Sequence, residues 1–221
     1  DEADVVIHDR LVTPEILELA RREAKLIYAG KEGFGTSTSQ TDINALMVEH
    51  AQAGEQIVRL KSGDPTVYGR LDEEIEALDA AGIAWHIVPG ITTASAAAAT
   101  IGQSLTRRGR NSALRFLTGH DLKGFADHDW AALARPGEVA AIYMGKKASR
   151  FLQRRLLMHG AYSATPVTVI ENVSRVDQVV HATDLGNLAD VTPQLTGPAI
   201  LIYGLAPRAA QAALQTVKEF A

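Results

Sequence analysis

The residues best suited to chemistry in this chain stand where predicted strands end. Asp9 follows the apolar run at residues 5–7, and Lys31 follows the next apolar run, at residues 25–29. The carboxyl ends of parallel strands open onto the ligand crevice of an α/β sheet, so a carboxylate and an amine would meet there. Such a pair can accept and donate protons. A surface pair between Asp9 and Arg10, and a solvated loop lysine, are the alternatives that the residues leave open.

Two turns rich in small residues follow two further predicted strands. The first reads Ser-Gly-Asp-Pro at residues 62–65, and the second reads Pro-Gly-Ile-Thr-Thr at residues 89–93. Glycine permits a positive φ and close ligand approach, and Asp64 can cap its turn or accept a hydrogen bond from a ligand amine or hydroxyl. Turns at neighbouring strand ends would share a pocket in which a flat ring lies against backbone. Each turn taken alone also fits a plain strand-to-helix connection.

Several other classes of site lack their motifs. The chain has no cysteine, which excludes zinc–thiolate sites, iron–sulfur clusters and cysteine nucleophiles. Its seven histidines are scattered without metal-ligand spacing, so no metal site is expected. No P-loop, Gly-x-Ser-x-Gly or Gly-x-Gly-x-x-Gly motif is present, which disfavours nucleoside triphosphates, hydrolase chemistry and dinucleotides.

The charge and hydropathy of the chain argue against nucleic acid and membrane as general partners. The net charge is −4, and no apolar run reaches the roughly 18 residues that span a bilayer. We expect a cytoplasmic protein. A local basic cluster still stands out, and it is either a solvated linker or an attraction for a polyanionic substrate; its members are Arg107, Arg108, Arg110 and Arg115.

The apolar pattern predicts an α/β protein with two domains. Continuous apolar strands alternate with helices in the first half, which favours a mostly parallel sheet covered on both faces. A polar, basic connector at residues 105–113 places the boundary between an N-terminal domain, 1–111, and a C-terminal domain, 112–221. The predicted strands of the first domain are 5–8, 25–29, 56–61 and 84–88, and its helices are 14–24, 42–53, 71–81 and 93–102.

The second domain is predicted to have a mixed sheet, because residues 167–173 and 178–183 are close enough to form a hairpin. Its predicted strands are 114–118, 139–144, 167–171, 178–182 and 199–203, and its helices lie near 148–159 and 208–220.

These motifs, taken in order, resemble the tetrapyrrole methylases over essentially the whole chain. The resemblance implies two α/β domains with an S-adenosylmethionine cleft between them, and a homodimer. It also implies C-methylation of uroporphyrinogen III at two positions, giving precorrin-2 on the routes to sirohaem and cobalamin. The matching stretches are residues 5–12, 30–31, 58–70, 89–97, 105–109, 118–120, 143–145, 171–172 and 197–199.

The resemblance implies a role for individual residues. Asp9 falls where the family's proposed proton acceptor lies, and Lys31 where its proposed donor lies. Arg70 falls on a motif position that we assign to substrate carboxylates. The positions that match cofactor-binding residues of the family are Ser62, Gly63, Asp64, Val67, Thr92, Thr93, Met144, Val173, Pro198 and Ala199.

The sequence also departs from the family pattern. Ser62 and Val173 stand where the family usually has Gly, and Arg107 stands where it usually has His. The family's first Gly-rich loop, Gly-Pro-Gly-Asp, has no match, and Asp1 leads almost directly into a strand. We therefore expect a first strand, its loop and a helix to precede this sequence.

Three other functions remain open at this point. The chain could methylate a different corrin precursor. It could be a non-catalytic relative that binds S-adenosylhomocysteine or a tetrapyrrole. An RNA methyltransferase is the third, and the isoelectric point near 6.0 argues against it.

Overall fold

The computed structural model describes residues 2–30 and 38–210. The chain divides into two compact units, the first ending at Thr92 and the second beginning at Thr93. No helix in the described ranges is long and apolar enough to cross a bilayer.

The first unit is built on a parallel sheet of three strands, β1 (Val5–His8), β2 (Lys25–Tyr28) and β3 (Ile57–Leu60). The order is β2-β1-β3, and β1 pairs in parallel with both neighbours. All four residues of β1 are buried, as an unbroken apolar strand predicts. The parallel sheet predicted for this half is confirmed for these strands.

The described residues of the first unit form three helices, α1 (Pro14–Leu17), α2 (Gln40–Gln52) and α3 (Leu71–Ala80). The N-terminus of α2 has a capping box, in which Ser39 and Asp42 satisfy each other's backbone N–H groups. Ile43 and Met47 of α2 pack in the same core as β1. The apolar spacing predicted for α2 is therefore the face that covers the sheet.

Two predictions in the first unit are wrong. Residues 84–88 are exposed and form no strand, because none of the strands in the described ranges pairs with them and a strand needs a neighbour's backbone groups. The helix predicted over 14–24 ends at Leu17. Beyond it, Arg21 donates from Nε to the Ala3 carbonyl at 2.9 Å and pairs with Asp4, so this segment is fastened to the start of the chain.

The second unit contains a mixed sheet of five strands in the order β4-β7-β10-β8-β9. β4 and β7 are parallel, β10 is antiparallel to both β7 and β8, and β8 forms an antiparallel pair with β9. The predicted mixed sheet and hairpin are confirmed. The strand bounds are β4 Arg115–Thr118, β7 Ala140–Tyr143, β8 Pro166–Glu171, β9 Val179–Asp184 and β10 Ala199–Tyr203.

Helices cover both faces of this sheet. On one face α4 (Thr93–Thr100) packs in a core with β10 and β8, and on the other α6 (Gly145–Met158) packs with β7 and β8. The described part of this unit also contains shorter elements: β5 His120–Asp121, β6 Gly124–Phe125, α5 Trp130–Leu133, α7 Leu188–Val191 and a 3-10 helix, Thr192–Gln194. The helix predicted over 208–220 lies almost entirely outside the described residues.

The division between the units differs from the boundary predicted at 111/112. Ala94, Ala97 and Ile101 pack with Ile170 and Ile200 of the five-stranded sheet, so α4 shares the core of the second unit. Small alanine side chains allow a helix to approach a sheet closely. The composition of the connector at residues 105–113 gives no information about this packing.

Candidate functional site

In the first unit, the functional candidates follow the ends of neighbouring strands. Asp9 comes directly after β1, and Lys61 directly after β3, which is paired with β1. The Asp9 carboxylate accepts a hydrogen bond from the Leu11 backbone N–H at 2.8 Å, which holds it in a turn at the end of its strand. Lys31, the predicted partner of Asp9, lies outside the described residues.

A buried ion cluster lies beside Asp9 and was missed from the sequence. Glu74 of α3 is only 3% exposed, and its Oε1 accepts hydrogen bonds from Arg59 Nε at 3.0 Å and from Lys61 Nζ at 2.8 Å. Gln40 donates to the same oxygen at 3.2 Å. The sequence contains a signal for this cluster, because Arg59 and Lys61 are two residues apart along an extended segment and so point to the same face.

The electrostatics of Lys61 follow from this burial. Desolvation lowers the pKa of its ammonium group, and the hydrogen bond to Glu74 opposes that shift. The charge of Asp9 also acts to raise the pKa of Lys61. Lys61 is thus a cation held in the field of two carboxylates, one buried and one at the strand end.

The turn after β3 is held by the Asp64 side chain. Gly63 adopts a φ of +78°, and Asp64 Oδ1 accepts from the Thr66 backbone N–H at 2.8 Å. The Thr66 hydroxyl and this backbone N–H, followed by the Gly90 N–H, hold the pKa of the Asp64 carboxyl below its usual range. Val67 closes the turn by donating from its backbone N–H to the Asp64 carbonyl at 3.2 Å.

The structure brings the two predicted turns together. The Gly90 backbone N–H donates to Asp64 Oδ2 at 3.2 Å. A Cβ atom added to Gly90 would lie 2.1 Å from the Gly63 carbonyl oxygen, so the two backbones meet with no room for a side chain. The two small-residue turns are therefore packed backbone against backbone, with Ser62 next to Gly63 in the first and Thr92 two residues beyond Gly90 in the second.

Arg70 stands on strained backbone at the start of α3. Its φ is +55°, and that of Tyr68 is +54°, both in the left-handed region that non-glycine residues rarely adopt. The Arg70 guanidinium binds the Glu73 carboxylate through two hydrogen bonds of 2.7 Å, and this contact raises the pKa of Arg70. The ion pair with Glu73 holds the Arg70 side chain at the edge of the turn, where it is half exposed.

In the second unit, the candidate residues lie along one edge of the five-stranded sheet, which we name the carboxyl edge. It is formed by the C-terminal ends of β4, β7 and β8 and by the N-terminal end of the antiparallel β10. Met144 follows β7 with a φ of +53° and is 50% exposed. Its carbonyl lies 3.1 Å from His120 Nδ1, which follows β4.

The remaining candidates of the second unit also lie at or beside the carboxyl edge. Tyr143 of β7 accepts from the Ala94 backbone N–H at 3.1 Å, which fastens the start of α4, and with it Thr93, to this edge. Val173 follows β8, and the Asn172 backbone N–H donates to the Pro198 carbonyl at 2.9 Å. Thr93, Met144, Val173, Pro198 and Ala199 therefore lie at or beside the carboxyl edge, and their role in cofactor binding stays a prediction.

The basic cluster divides into structural and exposed members. Arg115 pairs with Glu138 at 3.1 Å, and Arg110 donates to the Ser104 carbonyl at 2.7 Å. Arg107 and Arg108 are exposed. Among the four, Arg107 and Arg108 have no side-chain hydrogen bond or ion pair with a residue in the described ranges. In the described residues, no three His, Asp or Glu side chains are grouped so that they could hold a metal ion.

Removal of the buried carboxylate tests the Glu74 cluster. In Glu74→Gln, Arg59 and Lys61 stay buried without a counter-charge, and breaking a buried pair in this way costs about 3–5 kcal/mol of the free energy of unfolding. Urea denaturation measures it, with Glu76→Gln on the exposed face of α3 as the matched control. Equal midpoints for the two variants would show that the cluster does not stabilise the first unit.

Comparison with solved structures identifies chains of similar fold. A uroporphyrin-III C-methyl transferase from Thermus thermophilus, solved in complex with S-adenyl homocysteine, matches with a TM-score of 0.77 and 31% identity over 92% of this chain and 86% of that one. A cobalt precorrin-4 methyltransferase matches with a TM-score of 0.80, and at 21% identity it shows the fold alone.

Sequence comparison points the same way. The siroheme synthase of Pseudoalteromonas translucida is 44% identical over 205 residues, which are 92% of this chain and 43% of that protein. The chain thus spans less than half the length of the curated relatives it matches. The profile of the tetrapyrrole (corrin/porphyrin) methylases matches residues 1–189. This match covers most of the chain, and the fold of one parallel and one mixed sheet agrees with it. The chain therefore belongs to the tetrapyrrole methylases.

Proposed function

We propose that this chain is an S-adenosylmethionine-dependent C-methyltransferase that converts uroporphyrinogen III into precorrin-2 by two methylations, in sirohaem or cobalamin biosynthesis. The observation that carries the proposal is the contact between the two turns, where Gly90 meets the Gly63 carbonyl. In a chain of this family, this contact brings together the two small-residue turns that we expect to bind the cofactor. The similar Thermus enzyme, whose structure contains S-adenyl homocysteine, supports the choice of cofactor.

The proposed cofactor residues fall in two groups. Those of the first unit are Ser62, Gly63, Asp64, Val67 and Thr92, which form or flank the paired turns. Those of the second unit are Thr93, Met144, Val173, Pro198 and Ala199, at the carboxyl edge. Asp64 supplies a carboxylate, the paired turns supply small residues, and Met144 supplies an exposed thioether. These groups are chemically suited to a charged, ring-bearing ligand.

The proposed chemistry requires positioning and removal of a proton. When bound, S-adenosylmethionine supplies an electrophilic methyl group, which an electron-rich carbon of the tetrapyrrole attacks. The chain holds the reacting carbon in place, and alignment of this kind supplies roughly 7–11 kcal/mol of a barrier. The methylated macrocycle then loses a proton from another of its atoms; we assign the removal of this proton to Asp9, and Lys31 is proposed as the donor.

Charge provides the rationale for substrate binding. Uroporphyrinogen III carries eight carboxylates, whereas the chain has a net charge of −4. Arg70 at the edge of the first turn, together with the exposed Arg107 and Arg108, would attract and orient these groups. A homodimer, which the family resemblance implies, and a cytoplasmic location, which fits a chain without cysteine, complete the proposal.

A methyl-transfer assay tests the function. The 221-residue chain is incubated with tritiated S-adenosylmethionine and uroporphyrinogen III, and two methyl groups per tetrapyrrole are expected in the product. Total RNA in a parallel reaction should remain unlabelled. Stoichiometric binding of S-adenosylhomocysteine without any methyl transfer would replace the enzyme with a non-catalytic binding protein.

The role of Asp9 is tested by Asp9→Asn, which keeps the turn at Leu11 but removes the base. Loss of a positioned general base typically lowers turnover by about 10²–10⁴-fold. We expect a fall of that size in kcat with unchanged binding of S-adenosylhomocysteine.

The matched control is Asp121→Asn, because Asp121 caps a similar turn by accepting from the Lys123 backbone N–H at 2.7 Å. Full turnover in Asp9→Asn, or an equal loss in Asp121→Asn, would remove Asp9 from the mechanism.

A further inference from the structure

A cavity in the second unit lies against one side of α6. Its volume is about 530 Å³, within the range of roughly 300–1,000 Å³ that is usual for small-molecule sites. Ser149 and Thr192 contribute to its lining and are themselves bonded, with 2.6 Å between their hydroxyl oxygens. None of its lining residues is among those assigned above to cofactor, substrate or proton transfer.

The cavity is lined by four cations, and no Asp or Glu is found among the described residues that line it. The cations are Lys146, Lys147, Arg150 and Arg154. Lys146 donates to the Gly197 carbonyl at 3.1 Å, but none of the four forms an ion pair with a described residue. Their neighbour Arg155, by contrast, pairs with Asp127.

This arrangement opposes folding of the helix in two ways. Lys146, Arg150 and Arg154 follow one another at intervals of four residues, so like charges repel along one side of α6. Lys146 and Lys147 also lie in the first turn, where the positive end of the helix disfavours cations. A bound anion would offset both effects, and this would account for a cluster of cations in a chain whose net charge is −4.

An aromatic pair forms another part of the wall. Phe125 of β6 and Phe151 of α6 stack with ring centroids 5.1 Å apart and an interplanar angle of 25°. Phe125 remains 48% exposed, so its ring is available for a further contact. Arginine side chains beside an aromatic face suit a ligand that combines a flat ring with anionic groups.

We propose that this cavity binds a flat ring compound bearing several carboxylate or phosphate groups. The ring packs on Phe125, and the anionic groups bind Lys147, Arg150 and Arg154. A polycarboxylated tetrapyrrole and a nucleoside polyphosphate share this chemistry. The site is independent of the proposed methyl transfer, because binding here needs neither the methyl donor nor turnover.

Two probes distinguish the sources. Uroporphyrin I, a planar octacarboxylate, is titrated by fluorescence, and ATP by calorimetry, both at low salt against the 221-residue chain. The variant Arg150→Ala/Arg154→Ala should bind the preferred probe at least tenfold more weakly, or lose one site where the wild-type chain has two. The control is Arg22→Ala/Arg135→Ala, which removes the same charge from exposed positions outside the cavity.

The aromatic contact is tested separately by Phe125→Ala, which should weaken binding of the same probe while the thermal midpoint stays near that of the wild-type chain. The proposal is overturned if neither probe binds the wild-type chain, or if Arg150→Ala/Arg154→Ala binds as tightly as the control variant. Because no methylation is measured, failure here leaves the outcome of the methyl-transfer assay untouched.

Discussion

The contact between two backbone turns is the constraint on which the first unit's site depends. Asp64 bonds its own turn through one oxygen and the Gly90 backbone N–H through the other, and Gly90 meets Gly63 where no Cβ fits. Thr66 and Gly90 therefore hold the Asp64 carboxyl in its ionised form. The same contact that closes the turns brings together the residues of the first unit that we propose bind the cofactor, so local stability and the proposed site depend on one contact.

A second arrangement of this kind organises the carboxyl edge of the five-stranded sheet. Because β10 runs antiparallel between β7 and β8, its first residues lie at the same edge of the sheet as the C-terminal ends of β4, β7 and β8. Met144 lies there on left-handed backbone, fixed through its carbonyl by His120. Strained residues at a strand end persist only where their surroundings determine them, and they concentrate at functional sites. The sheet topology thus gathers residues that are far apart in the chain.

Local chemistry explains what could be predicted from the sequence. The turns at 62–65 and 89–93 were predictable because glycine, proline and aspartate favour turn conformations through their own backbone and side-chain geometry. Pairing and burial depend on distant partners, so residues 84–88 look like a strand but have no strand beside them in the described ranges. The Glu74 cluster was missed because it joins a strand to the following helix. The role of Lys31 remains a prediction.

Calorimetric titration of S-adenosylhomocysteine tests the central claim, that the paired turns form a cofactor surface. We expect one equivalent to bind the 221-residue chain and the affinity to fall at least tenfold in Gly90→Ala, whose Cβ would force the turns apart. The control is Gly82→Ala, which strains the backbone at a φ of +68° but places a Cβ that meets nothing within 4 Å, so it reports the effect of strain away from the turns. Unchanged affinity in Gly90→Ala, or an equal loss in Gly82→Ala, would show that the paired turns do not bind the cofactor.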